Sequence, residues 1–322
     1  MRYAVTGAAG FIGSQLCETL VAAGHEVVGI DNFDDFYEPE RKHRNLEALT
    51  RDSRFRIVSG DVRDAEATRA TVRGVDGVVH LAARAGVRPS FDDPVAYLNA
   101  NVAASSTLLE AIVELEVPRL VFISSSSVYG DGAESPFRED RSTGIPRSPY
   151  AATKAAGEAM CRAFEGRIPH IAVLRLFSVY GPRQRPDLAL QTFARCMHEG
   201  EPIPVLGTTD SFRDYTYVED IITGISLALE VREPWTLVNL GSGHPVTLED
   251  MIGELESAFG TKAERKMLPS HPGDLFGTWA DTSAAQEKLG FRPEWTFERG
   301  VRSFVEWFRQ EAERSGGAGR PA

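Results

Sequence analysis

The sequence predicts an α/β fold, a doubly wound parallel sheet followed by a smaller C-terminal α/β domain. Three observations carry that prediction. Strand and helix patterns alternate through the first half, the strands are apolar almost throughout, and after Leu176 the chain breaks into proline-punctuated pieces. Strands alternating with amphipathic helices build parallel units with helices on both faces. A run such as Leu120-Val121-Phe122-Ile123 lacks the alternation of a half-exposed sheet and fits burial on both sides.

In chain order, β-rich runs place strands at 3–6, 26–30, 56–58, 77–81, 120–124 and 171–176. Helical spacing of apolar residues places helices at 11–23, 41–50, 65–72, 102–114 and 150–164. Pro182, Pro186, Pro202, Pro204, Pro269, Pro272 and Pro293 then interrupt the pattern. The expected division is a first domain of residues 1–176 with about 214–241, and a second of 177–213 and 242–313. The Gly-, Ser- and Pro-rich end, 314–322, reads as a disordered tail.

Composition narrows the function classes. With 322 residues, 42% hydrophobic and 25% charged, the chain can bury a substantial core. A net charge of −11 argues against a general nucleic-acid or anionic-membrane binder, while leaving room for a local basic pocket. No apolar run approaches the ~20 residues of a membrane helix, and the start of the chain lacks signal-peptide features. Cys17, Cys161 and Cys196 form neither a disulfide framework nor a metal-ligand spacing. The expectation is a cytoplasmic protein with no metal site.

Thr6-Gly7-Ala8-Ala9-Gly10-Phe11-Ile12-Gly13 joins the first strand to the first helix. Glycines here allow a tight turn, backbone approach to a pyrophosphate, and close helix–sheet packing, while the helix N-terminus offers N–H donors to phosphate. Asp31-Asn32 ends the second strand, where a carboxylate binds the adenosine ribose and repels a 2′-phosphate, which favours NAD over NADP. Asp61 and Val62 after the third strand, and Leu81, Ala82 and Ala83 after the fourth, converge on the same ligand. The expected cofactor is NAD and the sheet is Rossmann-type.

The fifth strand ends in Ser124-Ser125-Ser126-Ser127-Val128-Tyr129-Gly130, and Tyr150-Ala151-Ala152-Thr153-Lys154 follows later. Tyr and Lys at i and i+4 share one helix face. An ammonium and a positive nicotinamide beside the phenol favour tyrosinate and lower its pKa toward working pH, making Tyr150 a general base in one direction and an acid in the other. A strand-end serine would share the proton; which of Ser125, Ser126 and Ser127 does so stays open, since one step of register reverses a strand's facing.

With these motifs the chain resembles the extended short-chain dehydrogenase/reductases of the NAD-dependent epimerase/dehydratase family, from Thr6 to about Trp307. Within it the chain is most similar to the UDP-glucuronate 4-epimerases. The residues carrying that likeness are Asp31-Asn32-Phe33 with Asp35-Phe36-Tyr37, Ala85-Gly86-Val87-Arg88-Pro89-Ser90 and Tyr180-Gly181-Pro182-Arg183-Gln184-Arg185-Pro186-Asp187. Arg213-Asp214-Tyr215-Thr216-Tyr217-Val218-Glu219-Asp220 and Pro272-Gly273-Asp274 are general to nucleotide-sugar members. Ser178 and Gln184 depart from the pattern.

The resemblance implies Ser125, Tyr150 and Lys154 as the catalytic triad, and Asn101, Tyr150 and Lys154 among the cofactor contacts. Arg213 and Asp274 would contact the nucleotide diphosphate and ribose. It also implies a homodimer through the helices at 102–114 and 150–164. The implied reaction is C4 epimerisation of a UDP-sugar through a 4-keto intermediate, with NAD regenerated each turnover and so retained. Serines rather than carboxylic acids precede Val128-Tyr129-Gly130, so the extra acid–base pair of a dehydratase is missing. Arg88, Ser126, Ser127, Ser178 and Arg185 are candidate ligands for a sugar C6 carboxylate, Arg185 by a charge-assisted contact. A neutral UDP-sugar epimerase, a UDP-glucuronate decarboxylase and a non-catalytic NAD-binding protein remain open alternatives.

Overall fold

The structure is a computed structural model describing residues 1–131, 133–141, 143–270 and 275–317. β1 (Arg2–Thr6), α1 (Phe11–Ala22), β2 (Glu26–Asp31), α2 (Pro39–Leu46), β3 (Phe55–Ser59), α3 (Ala65–Val72) and β4 (Gly77–His80) alternate as expected. Two short helices, α4 (Pro89–Asp92) and α5 (Pro94–Leu98), then run through a π-helical turn, Asn99–Ala103, into α6 (Ala104–Glu114). β5 (Arg119–Ser125), α7 (Pro149–Ala163) and β6 (His170–Leu176) complete the first half. The second half holds β7 (Ser178–Tyr180), α8 (Ala189–Glu199), β8 (Ile203–Leu206), β9 (Phe212–Tyr217), α9 (Val218–Leu229) and β10 (Trp235–Leu240). β11 (Pro245–Thr247), α10 (Leu248–Phe259), β12 (Arg265–Leu268), α11 (Ser283–Leu289) and α12 (Phe297–Gly317) follow.

Seven strands form one parallel sheet in the order β10-β6-β5-β4-β1-β2-β3. The chain moves outward from β1 to β3, returns to β4 on the other side of β1, and moves outward again. That reversal opens a crevice at the carboxyl ends of β1 and β4, where ligands bind in such sheets. One face is covered by α1 and α9, whose Leu16, Leu20, Ile221 and Ile225 share a core with Phe304 of α12. The other is covered by α3, α6 and α7 through Val72, Leu108, Ile112 and Cys161. Strands buried from both sides explain why their sequences are apolar nearly throughout.

Two small sheets, β11-β9-β7 and β12-β8, lie in the second half. β9 pairs with β7 and β11, whereas α9 and β10 return to the large sheet. Residues 214–217, read from sequence with the first domain, thus pair with the small sheet. The expected helix at 41–50 starts earlier, with Pro39 in its first turn, and gives way to a 3₁₀ turn at Leu49–Arg51. Residues 89–92 and 94–98 form two short helices in a stretch the sequence left unassigned; Pro89 and Pro94 each occupy a first helical turn, where no N–H is needed. α12 extends through Arg314 to Gly317, into the stretch composition assigned to a disordered tail. The rest of that stretch lies outside the described residues.

Candidate active site

A cavity of about 1580 Å³ follows the carboxyl ends of the sheet, from Gly7 and Asp31 at one end to Arg213 and Phe276 at the other. That exceeds the roughly 300–1,000 Å³ of a single small-ligand pocket, and suits a dinucleotide and a nucleotide sugar together. Among the described residues, eight cationic side chains line it against five carboxylates, in a chain whose net charge is −11. The local basic pocket that an acidic composition left possible is therefore present.

The dinucleotide end is built by the turn after β1. Gly7 has φ +68° and its N–H donates to the Ile30 carbonyl at 2.9 Å. A Cβ on Gly13 would stand 2.1 Å from the Gly7 carbonyl oxygen, so only glycine lets α1 seat on the turn. The first N–H groups of α1 have no intrahelical acceptor, and its cap residue, Gly10, supplies no side-chain bond. Gly7, Gly10, Phe11, Ile12 and Gly13 all line the cavity. Asp31 is buried and oriented by two donors, Ala9 N–H at 3.0 Å and Phe33 N–H at 2.9 Å, which leaves lone pairs for ribose hydroxyls. This cradle fits NAD, which when bound supplies reversible hydride chemistry.

Asn32, Asp61 and Val62 also line this end. The Asp61 carboxylate is already engaged, by Arg63 Nε and Nη2 at 2.9 and 2.8 Å and by Asn32 Nδ2 at 2.9 Å. The Arg63 bond comes first among the causes holding its pKa down to about 2. Asp61 thus stays charged and locks the wall, rather than offering a free carboxylate to adenine.

Leu81, Ala82 and Ala83 form the wall beside β4, held by a directed chain of hydrogen bonds. Ser105 Oγ donates to the Asn101 carbonyl at 2.5 Å, so it accepts from His80 Nε2 at 3.0 Å. His80 Nδ1 is then the acceptor for the Thr6 hydroxyl at 2.8 Å, and Thr6 accepts the Ala82 N–H at 3.0 Å. Burial, with Lys154 adding to it, pushes His80 down to about 3, and the ring stays neutral. Between pH 6.5 and about 3 the unfolded chain then binds a proton that the folded one refuses, so stability falls as pH falls through this window. We expect His80→Gln to reduce the acid-side slope of stability by up to about 1.4 kcal/mol per pH unit. Denaturant melts from neutral to acid pH measure it; an unchanged slope would show that His80 titrates normally.

Asn101 is buried, and it does not line the cavity. Its side chain accepts from Arg84 N–H at 2.8 Å and donates to the Arg84 carbonyl at 3.0 Å and to Thr153 Oγ1 at 2.9 Å. The cofactor contact implied for it becomes support for the Arg84 loop and for α7.

α7 begins at Pro149, capped by Ser148, which accepts the Ala151 N–H at 3.1 Å. The cap fixes where Tyr150 and Lys154 emerge. Both line the cavity, as does Ser125 at the end of β5. Burial raises the Tyr150 pKa, while a hydrogen bond with Ser125 and the Arg185 guanidinium pull it down. Among the protein's own groups, desolvation outweighs the contacts favouring tyrosinate. Lys154 donates to the Ile123 carbonyl at 2.7 Å, and burial pushes its pKa down to about 8. A phenol hydrogen-bonded to a serine beside a buried lysine can pass a proton to and from a substrate hydroxyl.

Ser125 Oγ donates to Ser127 Oγ at 3.1 Å. Ser126 is buried, and neither Ser126 nor Ser127 lines the cavity, whereas Ser178 does. The 3₁₀ turn Ser126–Tyr129 carries those two serines away from the lining. Arg88 lines the cavity beside α4. Arg185 also lines it, with Nε and Nη2 each 2.9 Å from Asp187. Arg213 donates to the carbonyls of Phe212, Phe276 and Leu275 at 2.8, 3.1 and 2.8 Å; neutral acceptors fix the guanidinium without cancelling its charge. Asp274 lies outside the described residues.

Sequence reasoning missed Lys42, Arg84, Arg147 and Phe276, all of which line the cavity. Arg84 follows the His80–Ala83 motif directly and was within reach of that signal. It pairs with Asp34 at 3.2 Å, a partner fifty positions away that only the fold supplies.

Comparison with known proteins then decides the family. The model of the NAD dependent epimerase/dehydratase family matches residues 3–241. The chain belongs to that family. It is 36% identical over 315 residues to a UDP-glucuronate 4-epimerase of Thermodesulfobacterium geofontis, covering 97% of each chain. The family member also superimposes on the UDP-glucuronic acid 4-epimerase of Bacillus cereus in complex with UDP-glucuronic acid and NAD, with TM-score 0.91, 36% identity and coverage of 97% and 100%. A dTDP-glucose 4,6-dehydratase of Streptomyces venezuelae with NAD bound gives the same TM-score, 0.91, at 29% identity, with 98% of each chain covered. Backbone shape alone does not separate epimerases from dehydratases here; the side chains at the strand end must.

Proposed function

We propose that this enzyme interconverts UDP-glucuronic acid and UDP-galacturonic acid, an NAD-dependent epimerisation at C4. The observation that carries the reading is the surroundings of Tyr150. Hydroxyl groups stand at the strand end where a dehydratase needs carboxylic acids, and the Arg185 guanidinium acts on the phenol. Tyr150 takes the proton of the sugar 4-OH, Ser125 orients that hydroxyl, and Lys154 supplies the positive charge that steadies the phenolate. The same groups return the proton to the opposite epimer.

Arg185 Nη1 has no acceptor among the described residues, Nε and Nη2 being taken by Asp187. It is available to a C6 carboxylate, with the Ser178 hydroxyl also in the lining. The 4-keto form of such a sugar is a β-keto acid, and holding its carboxylate out of alignment with the ketone suppresses loss of CO2. Arg213 binds the diphosphate. Relatives support the reading, in that the Bacillus cereus enzyme holds UDP-glucuronic acid and NAD.

The test is turnover of UDP-glucuronic acid against UDP-glucose, with products identified by NMR. UDP-galacturonic acid from the acid sugar, with little product from the neutral one, supports the reading. A UDP-pentose would mean decarboxylation, and preferred turnover of UDP-glucose a neutral-sugar epimerase. Arg185→Ala should lower acid-sugar turnover roughly 10- to 100-fold, the size of a lost charge-assisted contact, and release some UDP-pentose. Normal affinity for the acid sugar with no pentose would remove Arg185 from this role.

A homodimer through α6 and α7 and a cytoplasmic location belong to the same proposal. The three cysteines are free and buried, and no helix among the described residues is long and apolar enough to cross a membrane.

A further inference from the structure

We infer that Glu158, held by Arg175 and Ser124, is a positioning residue that keeps Lys154 charged beneath the catalytic tyrosine. The inference rests on the reading in which Tyr150 and Lys154 carry the proton transfer. α7 places Tyr150, Lys154 and Glu158 at successive i+4 positions, on one stripe of the helix. Glu158 Oε1 accepts from Ser124 Oγ at 2.5 Å and from Arg175 Nε at 2.9 Å, while Oε2 accepts from Arg175 Nη2 at 2.7 Å. The pair is well shielded, with side-chain exposures of 5% for Arg175 and 13% for Glu158. Arg175 also lies 4.7 Å over the Tyr129 ring.

Such a pair needs a reason. Burying two charges costs more than their attraction commonly returns, and apolar residues of like volume would serve a structural role at least as well. Neither Glu158 nor Arg175 lines the cavity, so neither is required for a ligand. What lies one turn away is Lys154, an ammonium in a poor place for charge. β5 offers it the Ile123 carbonyl at 2.7 Å and the Phe122 ring at 5.6 Å. β4 faces it with the neutral His80 ring, and α5 reaches its neighbour Tyr150 through the edge of Tyr97. On α7 itself the titratable neighbours are Tyr150, Cys161 and Glu158, and across β6 stands Arg175, of like charge. Glu158 is the one carboxylate acting on Lys154 among the described residues; it raises the lysine pKa against the lowering by burial. Arg175 and Ser124 fix that carboxylate in place.

Removing the charge while keeping the shape should therefore let Lys154 lose its proton earlier. Glu158→Gln preserves the Ser124 contact and deletes the carboxylate. With purified holoenzyme, we expect the alkaline limb of kcat to move down by about one pH unit or more relative to wild type. Glu158→Asp keeps the charge with worse geometry; it should melt earlier yet retain the wild-type limb. An unshifted limb with evenly reduced kcat in Glu158→Gln would make Glu158 a structural strut and overturn the inference. So would an equal shift in Glu158→Asp.

A second readout needs no turnover. Ultraviolet difference titration of the Tyr150 phenolate, taken between each protein and its Tyr150→Phe counterpart, should show a higher ionisation pH in Glu158→Gln. Equal titrations would overturn the inference even if the enzyme were inactive on UDP-glucuronic acid. Shifted titrations without turnover would instead fault the assigned reaction and leave the inference standing.

Discussion

Tyr150→Phe should lower turnover by at least about 10³-fold while leaving NAD in the protein. The hydroxyl is the only atom removed, and general acid–base catalysis by a positioned group contributes roughly 10²–10⁴-fold. We expect the upper part of that range because the structure offers no substitute. Ser125 reaches the same region, yet an aliphatic hydroxyl ionises far above a phenol and makes a poor substitute base. Lys154 is turned to the Ile123 carbonyl at 2.7 Å. The ring itself keeps the edge-on packing of Tyr97, at 6.3 Å between centroids, so folding and cofactor retention should be preserved. Initial rates by NMR and the bound NAD content together check this. A variant with more than a tenth of wild-type activity would mean that another group moves the proton.

Gly13→Ala should produce a protein that loses its cofactor. The added methyl would sit 2.1 Å from the Gly7 carbonyl oxygen, 2.9 Å from the Gly7 carbonyl carbon and 3.1 Å from Ala8 Cα. All three are backbone atoms of the turn, so no rotamer change relieves the clash. The first turn of α1 must lift away, carrying with it the N–H groups that face a pyrophosphate. Overpacking of this kind costs roughly 1–3 kcal/mol, occasionally more, and here the displaced atoms are the binding site. Purified wild type should carry close to one NAD per chain, and Gly13→Ala far less, with a lower Tm that excess NAD partly restores. Equal NAD content in the two proteins would show that the turn is not the pyrophosphate site.

These two residues stand for the part of the molecule that was legible in advance. Gly7, Gly10 and Gly13 announce a backbone geometry, and Tyr150 with Lys154 announces a helix face; both are short-range facts that sequence spacing encodes. The six strands of the first half were legible for the same reason, since burial on both faces writes an apolar run. What stayed hidden depends on partners distant in sequence. Asn32 reaches the Asp61 carboxylate from 29 positions away, and Asn101, implied as a cofactor contact, has its amide engaged by Arg84 and Thr153. The short helices begun by Pro89 and Pro94 went unassigned, being too brief for an apolar period to show. The strand-end serines were ambiguous because facing depends on the point where β5 yields to a 3₁₀ turn, which spacing does not encode. The smaller sheets were the least readable, with strands as short as Pro245–Thr247 pairing across long separations.

The account stands on a C4 centre that is opened and closed within one protein carrying its own NAD. The direct measurement is to incubate the purified enzyme, without added cofactor, with UDP-glucuronic acid deuterated at C4 and to follow the sugar by NMR. The account predicts UDP-galacturonic acid with the deuterium still at C4, at a rate that added NAD barely changes. Deuterium exchanged into water, or no C4 epimer even after NAD is supplied, would contradict it.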